Sequence, residues 1–497
     1  MSANKSTNRT LWVAASGTAL VMAVFAGFVV TVGASMHSFH AGVAGEAWGL
    51  SGMGLGLAAA LLTAGALADD LGHARVLRVS AGLLAGASAL GALAPSMEIL
   101  IAARVLQGVA GGGIVAAGLG SIGRAFPSGT ARTRATAVWG AAVGAGVTVG
   151  PLAGAGLATA VGWRAGFWLE AVAAGAVMTA AATLSESRTT ARARLDLAGI
   201  TTLGAAMTFL VAGLVETRHG WTAASTLVPF AAATLMLGGF ATAELRSSRP
   251  MLDPRLLGQP QFLASITGAL FTGLAVVGLM SYAPAVMQQS LHISVIGSAA
   301  VLATWSATSM VAALATGSLG SRLSARTRVL IGLALAAIGE LALTGLSARA
   351  GWTRLVPGLF LAGLGTGVVN AALGRIAVES VPPGRAGMGS GANNTARYLG
   401  GAAGASLIVS IASTGSHSLI EGWNVAALVS AALAALGVAI VASCRTWRRR
   451  GALPGSDRTS RRGQRRVVTT PWAPAIPSEA LTFTTAGAEH PATTHTN

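Results

Sequence analysis

The sequence predicts an all-α integral membrane protein: fourteen transmembrane helices, both termini cytoplasmic, built as two six-helix bundles with two helices inserted between them. Three observations predict this class. The 497 residues are 53% hydrophobic with a mean hydropathy of +0.65, too apolar for polar residues to cover a core, so the bilayer is the default solvent. Apolar runs of spanning length recur from end to end, and some, such as 11–33 and 423–444, carry no acidic or basic residue. Basic residues gather on one side of those runs.

The runs lie at 11–33, 46–68, 76–95, 98–119, 135–160, 165–184, 196–215, 222–243, 261–284, 295–318, 328–347, 354–374, 388–412 and 423–444, close to the roughly 20 residues that cross the hydrocarbon. The first run is read as a retained helix and not a signal peptide, because no small-residue cleavage site leads into soluble sequence. The implied organisation is a cytoplasmic N-terminus (1–10), a first bundle (11–184), two inserted helices with flanking loops (185–260), a second bundle (261–444) and a tail (445–497). That tail begins with basic runs and has no periodicity, so it is expected to be disordered, its arginines lying on anionic headgroups.

Net charge is +17 from 33 basic residues. Outside loops keep only Arg164, Arg218, Arg349 and Arg354, and Arg104 and Arg397 fall within helices; all the others lie on the opposite side. Repeated loop after loop, this is the positive-inside pattern, and it places both termini in the cytoplasm. Trp48, Trp163, Trp221, Trp352 and Trp423 mark the outer face as an aromatic belt. Nucleic-acid binding is not expected, since no aromatic residues interleave the tail arginines. The single cysteine, Cys444, excludes an intrachain disulfide framework or a cysteine-based zinc cluster.

GALADDLGHARVL (65–77) joins helices 2 and 3, and GSLGSRLSARTRVL (317–330) joins helices 10 and 11. Gly65, Leu67 and Leu71 match Gly317, Leu319 and Leu323 at a constant separation of 252 residues, which suggests two related bundles around a central site.

The stretch at 65–77 resembles the loop signature of the major facilitator superfamily, roughly G-x-L-a-D-r-x-G-r-r-x-x-l, through Gly65, Leu67, Ala68, Asp69, Gly72, Arg75 and Leu77. Gly65 and Gly72 would permit close backbone approach and a sharp turn, and Asp69 would cap a helix or pair with an arginine, gating the inner face. Asp70 stands where the family usually has a basic residue. Helix 4 carries Leu100, Arg104, Gln107 and Gly108, similar to the family's l-x-x-x-R-x-x-q-G pattern, in which the arginine is associated with proton coupling. Arg104 is expected about 6 residues, roughly 9 Å, from the outer helix end, where an arginine is costly unless paired or hydrated.

Helix 5 places Gly146, Gly150 and Gly154 at four-residue spacing, a smooth stripe for close helix packing, with Pro151 bending the helix. This resembles the G-x-x-x-G-P-x-x-G signature of drug:proton antiporters. Gly162, Trp163, Arg164 and Phe167, then Leu195, Asp196 and Gly199, then PPGRAGMGSGANNTARYLGGAAG (382–404), resemble further elements of the fourteen-helix branch. One departure stands in AGFVVTVGAS (26–35): Ala26, Thr31 and Ser35 occupy positions where the branch has Asp, Asn and Pro.

Two carboxylates remain as proton carriers. Glu170 lies near the outer end of helix 6, and Glu340 is expected about 12 residues, roughly 18 Å, into helix 11, as a proton carrier or a partner of Arg397. Candidate cavity residues are Gln107, Asn393, Asn394 and Arg397, with Trp139, Trp168 and Trp305 as aromatic walls. GLGTG (363–367) lacks the rest of a dinucleotide fingerprint, and His37 and His40 are read as outer-loop residues, so no cofactor or metal is expected, only protons as coupling ion. No catalytic cluster is visible.

The resemblance implies a monomeric, multi-pass exporter of small amphipathic compounds in the cell membrane, a drug or antibiotic efflux protein working by proton antiport and alternating access. A proton-independent facilitator or importer of metabolites remains open because helix 1 lacks its aspartate. A membrane scaffold without transport is the remaining class.

Overall fold

The computed structural model describes residues 2–126, 130–184, 197–247, 254–318, 323–381, 386–413 and 418–444. The expectations for the tail at 445–497, for Leu195 and Asp196, for residues 319–322 and 382–385, and for the side chains of Asp69 and Asp70 lie outside the described residues.

Among the described residues there is helix and no strand. The long helices are α1 (Ser2–Phe39), α2 (Val43–Leu71), α3 (His73–Leu93), α4 (Met97–Ala125), α5 (Thr130–Ala160), α6 (Arg164–Ala181), α7 (Leu197–Glu216) and α8 (Ala224–Arg246). Then follow α9 (Pro260–Gln289), α10 (Val295–Ser318), α11 (Ala325–Ala342), α12 (Val356–Glu379), α13 (Ala386–Ser413) and α14 (Leu419–Ser443). Judged on the described residues, ten are long and apolar enough to cross a membrane; α2, α6, α11 and α13 pack among them. Boundaries move where polar residues extend an apolar run, so α1 begins well before residue 11. The end of α11 moves the other way: the helix stops at Ala342, where Leu343 N–H turns back to Glu340 O, and not at 347.

Packing within α1–α6 joins α1 to α4, α5 and α6, α4 to α2 and α3, and α3 to α6. Each of these pairs recurs eight helices later, among α9–α14. The glycines show how close the match is. A Cβ on Gly146 or Gly150 of α5 would land on Ala19 O or Ala23 O of α1, and one on Gly400 or Gly404 of α13 would land on Leu270 O or Leu274 O of α9. Likewise Gly108 of α4 sits on Met53 O of α2, and Gly363 of α12 on Trp305 O of α10. The stripe read from helix 5 is therefore a backbone-to-backbone seam, and α13 carries its twin.

Across the two groups α2 packs on α13 and α5 on α10, while α7 lies against both α2 and α13. Ser51 donates to Ala402 O at 2.8 Å and lies 2.8 Å from Ser406 Oγ, Thr395 donates to Ala58 O, and Ser410 donates to Leu214 O of α7.

The 65–77 stretch is more helical than a loop. α2 runs to Leu71, the chain turns at Gly72 alone (φ 97°, ψ 136°), and α3 starts at His73. Gly72 is needed for that positive φ. Gly65 is not needed for close approach, because a Cβ there meets nothing within 4 Å, which corrects the expectation. Arg75 is exposed. Gly72→Ala forces an L-residue into this region and should cost about 1–3 kcal/mol. The check is a lower thermal unfolding midpoint of the purified protein, while Gly65→Ala should leave it unchanged.

Two of the expected belt tryptophans are internal. Trp163 donates to Ser38 Oγ and Trp423 to Leu343 O, and both are buried. Each is a bulky ring whose N–H is satisfied inside the protein. Trp221 and Trp352 are exposed as an interfacial belt requires.

Candidate functional site

The links α1–α2, α3–α4 and α5–α6 lie at one end of the molecule, here called the far end because the start of α1 and the close of α14 are at the other. Arg104 stands on α4 two turns from that end and is 1% exposed. It would be a bare charge in an apolar interior, and a chain of polar groups prevents this. Its Nη1 donates to Val24 O of α1 at 3.1 Å and to Gln107 Oε1 at 2.9 Å, and its guanidinium lies 4.5 Å from the centre of the Phe28 ring. Gln107 Nε2 donates at 2.9 Å both to Ser88 Oγ of α3 and to Glu170 Oε2 of α6.

Three helices thus meet at one amide, and Arg104 ties it to a fourth, α1. Its oxygen accepts a hydrogen bond from the cation and its nitrogen donates one to the carboxylate, so Gln107 links Arg104 to Glu170. Among the described residues Arg104 Nε has no hydrogen-bond partner. Sequence reasoning named Arg104, Gln107 and Glu170, and the structure brings the three together; Ser88 was missed.

Arg397 occupies α13 in the other group. It donates to Asn394 Oδ1 at 2.7 Å and to Asn370 Oδ1 of α12 at 3.4 Å, with the Tyr398 ring centre 5.1 Å away. It is not paired with Glu340, which corrects one expectation. Asn393 Nδ2 points instead to Ser265 of α9, reaching its carbonyl at 3.0 Å and its hydroxyl at 2.9 Å. Tyr398 reaches Met22 of α1 with its hydroxyl 3.5 Å from the sulfur, so this polar group borders the seam between the two groups of helices.

Glu340 lies in the last turn of α11, not at mid-span, yet it is fully buried and neither carboxyl oxygen has a hydrogen-bond partner among the described residues. Glu46, in the first turn of α2, is also buried, with Oε1 unpartnered among the described residues. Sequence reasoning missed Glu46 because it opens a predicted span, where an acid reads as interfacial.

The expected aromatic walls divide. Trp139 of α5 donates to Thr18 of α1 at 2.9 Å, and Trp305 of α10 to Thr366 of α12 at 3.2 Å, so both fix helix pairs. Trp168 is 46% exposed beside exposed Leu169 and Val172 on the outer side of α6. It faces away from Glu170 and its partners, a correction to its placement in the cavity.

At the far end a cavity of about 420 Å³ opens between α1 and α9, lined by Val30, Gly33, Met36, His37, Ala285 and Gln288 among others. That is within the size range of small-molecule sites, mixing apolar walls with a few polar groups. Gln288, one of the lining residues, donates to Val30 O at 3.0 Å and to Ser298 Oγ of α10 at 2.9 Å.

The sequence matches the family described as Major Facilitator Superfamily over residues 14–405, with an overlapping second match over 268–487. It is 29% identical over 420 residues to the multidrug resistance protein Stp of Mycobacterium tuberculosis, covering 83% of this chain and 78% of that one. It is 30% identical to the cephamycin export protein CmcT of Amycolatopsis lactamdurans, covering 82% and 88%. The multidrug efflux pump LfrA of Mycolicibacterium smegmatis shares 27%, covering 76% and 75%. Among solved structures, a POT family transporter in complex with 5-aminolevulinic acid superposes with a TM-score of 0.65 at 12% identity, covering 88% of this chain and 96% of that one. An all-helical fold, buried charge at helix crossings and these matches agree: the chain is a multi-pass protein of the cell membrane and belongs to the major facilitator superfamily, a family of transporters.

Proposed function

We propose that the protein exports small amphipathic compounds, antibiotics among them, in exchange for protons. All fourteen helices cross the membrane in this reading, with both termini cytoplasmic. The helices of 11–184 and 261–444 act as two bundles that rock about the α2–α13 and α5–α10 seams, and α7 and α8 are inserted beside them. Similarity to exporters of multidrug, cephamycin and tetracenomycin type supports the substrate class.

The observation that carries the coupling is the buried chain Glu170–Gln107–Arg104–Val24 O. A carboxyl held through one amide from a fixed cation changes the balance of that chain when it gains or loses a proton, and α1, the helix the chain ends on, faces α9 and α10 of the other bundle. The Gly146/Gly150 seam makes α5 follow α1 as one body. The absence of an acid from the 26–35 stretch favours a second reading, proton-independent transport on the same fold.

Expression in a drug-susceptible host, with accumulation of ethidium, puromycin and a β-lactam measured in cells, tests the export function. Lower steady-state accumulation of at least one compound and higher tolerance to it are expected. Equal accumulation of all three, with the protein present in the membrane, would refute export of these classes.

A further inference from the structure

The repeat places residues of the two bundles in register, and burial fixes that register. Buried positions Leu77, Ala81, Leu84 and Ser88 of α3 recur 252 residues on as Val329, Leu333, Ala336 and Glu340 of α11. Buried Trp163, Phe167, Ala174 and Val177 of α6 recur 260 residues on as Trp423, Ala427, Ala434 and Gly437 of α14, which sets Glu170 opposite Ser430. Gly108 and Gly112 of α4 match Gly363 and Gly367 of α12 at 255, so Arg104 and Gln107 answer to buried Leu359 and Ala362. Ala19 and Ala23 of α1 match Leu270 and Leu274 of α9 at 251, so Val24 answers to Ala275.

The two bundles therefore hold the same site with its acid and hydroxyl exchanged. In the first, serine is on the third helix and glutamate on the sixth; in the second, glutamate is on the third and serine on the sixth. The second has Leu359 and Ala362 in place of the arginine and the glutamine. Its core-helix carbonyl is still used: Ser430 Oγ donates to Ala275 O at 2.9 Å, as Arg104 donates to Val24 O. Ala275 lies in the π-helical turn Thr272–Val277, where the backbone ladder of α9 is already shifted.

The hydroxyl of Ser430 has one proton, and Ala275 O takes it. Toward Glu340, on the α11 helix packed against α14, Ser430 can then act only as acceptor, and among the described residues no donor reaches either oxygen of Glu340. Charged or titratable groups packed against α11 are Tyr282 of α9, Arg375 and Glu379 at the opposite end of α12, Glu421 at the start of α14, and Arg354, whose guanidinium is held by Ala342 O and Thr344 O at the end of α11. None of them bonds to Glu340; Arg375 is spent on Glu379. A carboxylate there would be a buried charge without compensation, whereas the carboxylic acid can donate to Ser430 Oγ.

We propose that Glu340 is a second proton-binding site, separate from Glu170, and that Ser430 reports its protonation to the π-helical turn of α9. With the proton bound, the order of donation is Glu340 to Ser430 to Ala275 O. When the proton leaves, the Ser430 hydroxyl turns to the carboxylate and releases Ala275 O. That turn is wedged against α13, with Gly273 on Arg397 O and Gly278 on Gly404, and α13 is the helix that meets α2 of the other bundle. This inference rests on the proton-coupled reading of the function, but its first test does not.

Infrared difference spectra of the purified protein in lipid nanodiscs, recorded between acidic and alkaline pH, read protonated carboxylic acids directly. A carbonyl-stretch band present in the wild type and missing from Glu340→Gln is expected, and Ser430→Ala should shift that band by removing its acceptor. A wild-type spectrum that Glu340→Gln leaves unchanged would overturn the proposal, and should that variant not fold, an unshifted band in Ser430→Ala would do so. In ethidium efflux from proteoliposomes, Glu340→Gln should flatten the pH profile and lower proton-driven efflux about tenfold, with Glu340→Asp restoring the slope. A wild-type pH profile in Glu340→Gln counts against the relay; a wild type that ignores pH counts against proton coupling and leaves the infrared result standing.

Discussion

Arg104→Ala is expected to abolish gradient-driven efflux while the protein still reaches the membrane. The guanidinium supplies the bonds to Val24 O and Gln107 and a cation one amide away from Glu170, so its loss leaves a buried carboxyl and amide without their counterpart. Removing one member of such a buried set costs about 3–5 kcal/mol, large enough to reach stability as well as turnover. Arg104→Lys separates the two effects. Lysine keeps the charge but not the fork that serves Val24 O and Gln107 together, so it should restore expression and thermal stability better than it restores efflux. Ethidium efflux rates, normalised to protein found in the membrane, are the measurement. Full efflux by Arg104→Ala would remove the arginine from the coupling machinery.

Gly146→Val and Gly150→Val should each eliminate transport by a different route, through the backbone. A Cβ at either position would coincide with a carbonyl of α1, Ala19 O or Ala23 O, so no rotamer change relieves the clash and α1 must lift from α5. Gly156→Ala on the same helix is the control, since a Cβ there meets nothing within 4 Å. Yield and monodispersity on size-exclusion chromatography should fall for the two valine variants and stay at wild-type level for Gly156→Ala. Because Gly400 and Gly404 form the corresponding seam between α13 and α9, valine there should do the same to the second bundle.

Much of this was legible in the sequence because the bilayer simplifies the code. Apolar runs locate helices, a rare buried charge such as Arg104 signals its own importance, and glycines four residues apart declare a seam. The limits are equally physical. Helical periodicity does not register where a helix ends near an interface, so Glu340 was placed at mid-span although α11 stops two residues after it. Rings of tryptophan were assigned to one interface by position alone, yet Trp163 and Trp423 turn inward because Ser38 and Leu343 O offer acceptors. Trp168 was read by depth, and depth does not distinguish the two sides of α6.

Small hydroxyl residues were the largest omission. Ser88 and Ser430 have nothing unusual in composition or spacing, and they matter only because helices distant in sequence bring them to Gln107 and Ala275 O. A signal for them did exist in the internal repeat. Extending the 252-residue match from Gly65 along α3 sets Ser88 against Glu340, an alignment of a hydroxyl with an acid that marks both positions.

Proton exchange is the central claim, and simultaneous recording of ethidium and proton flux in one population of proteoliposomes tests it most directly. With an imposed substrate gradient and no initial pH difference, protons should move opposite to ethidium at a fixed ratio in the wild type and should stop moving in Arg104→Ala. Ethidium flux through the wild type with no accompanying proton movement would contradict the account and leave the fold serving a facilitator.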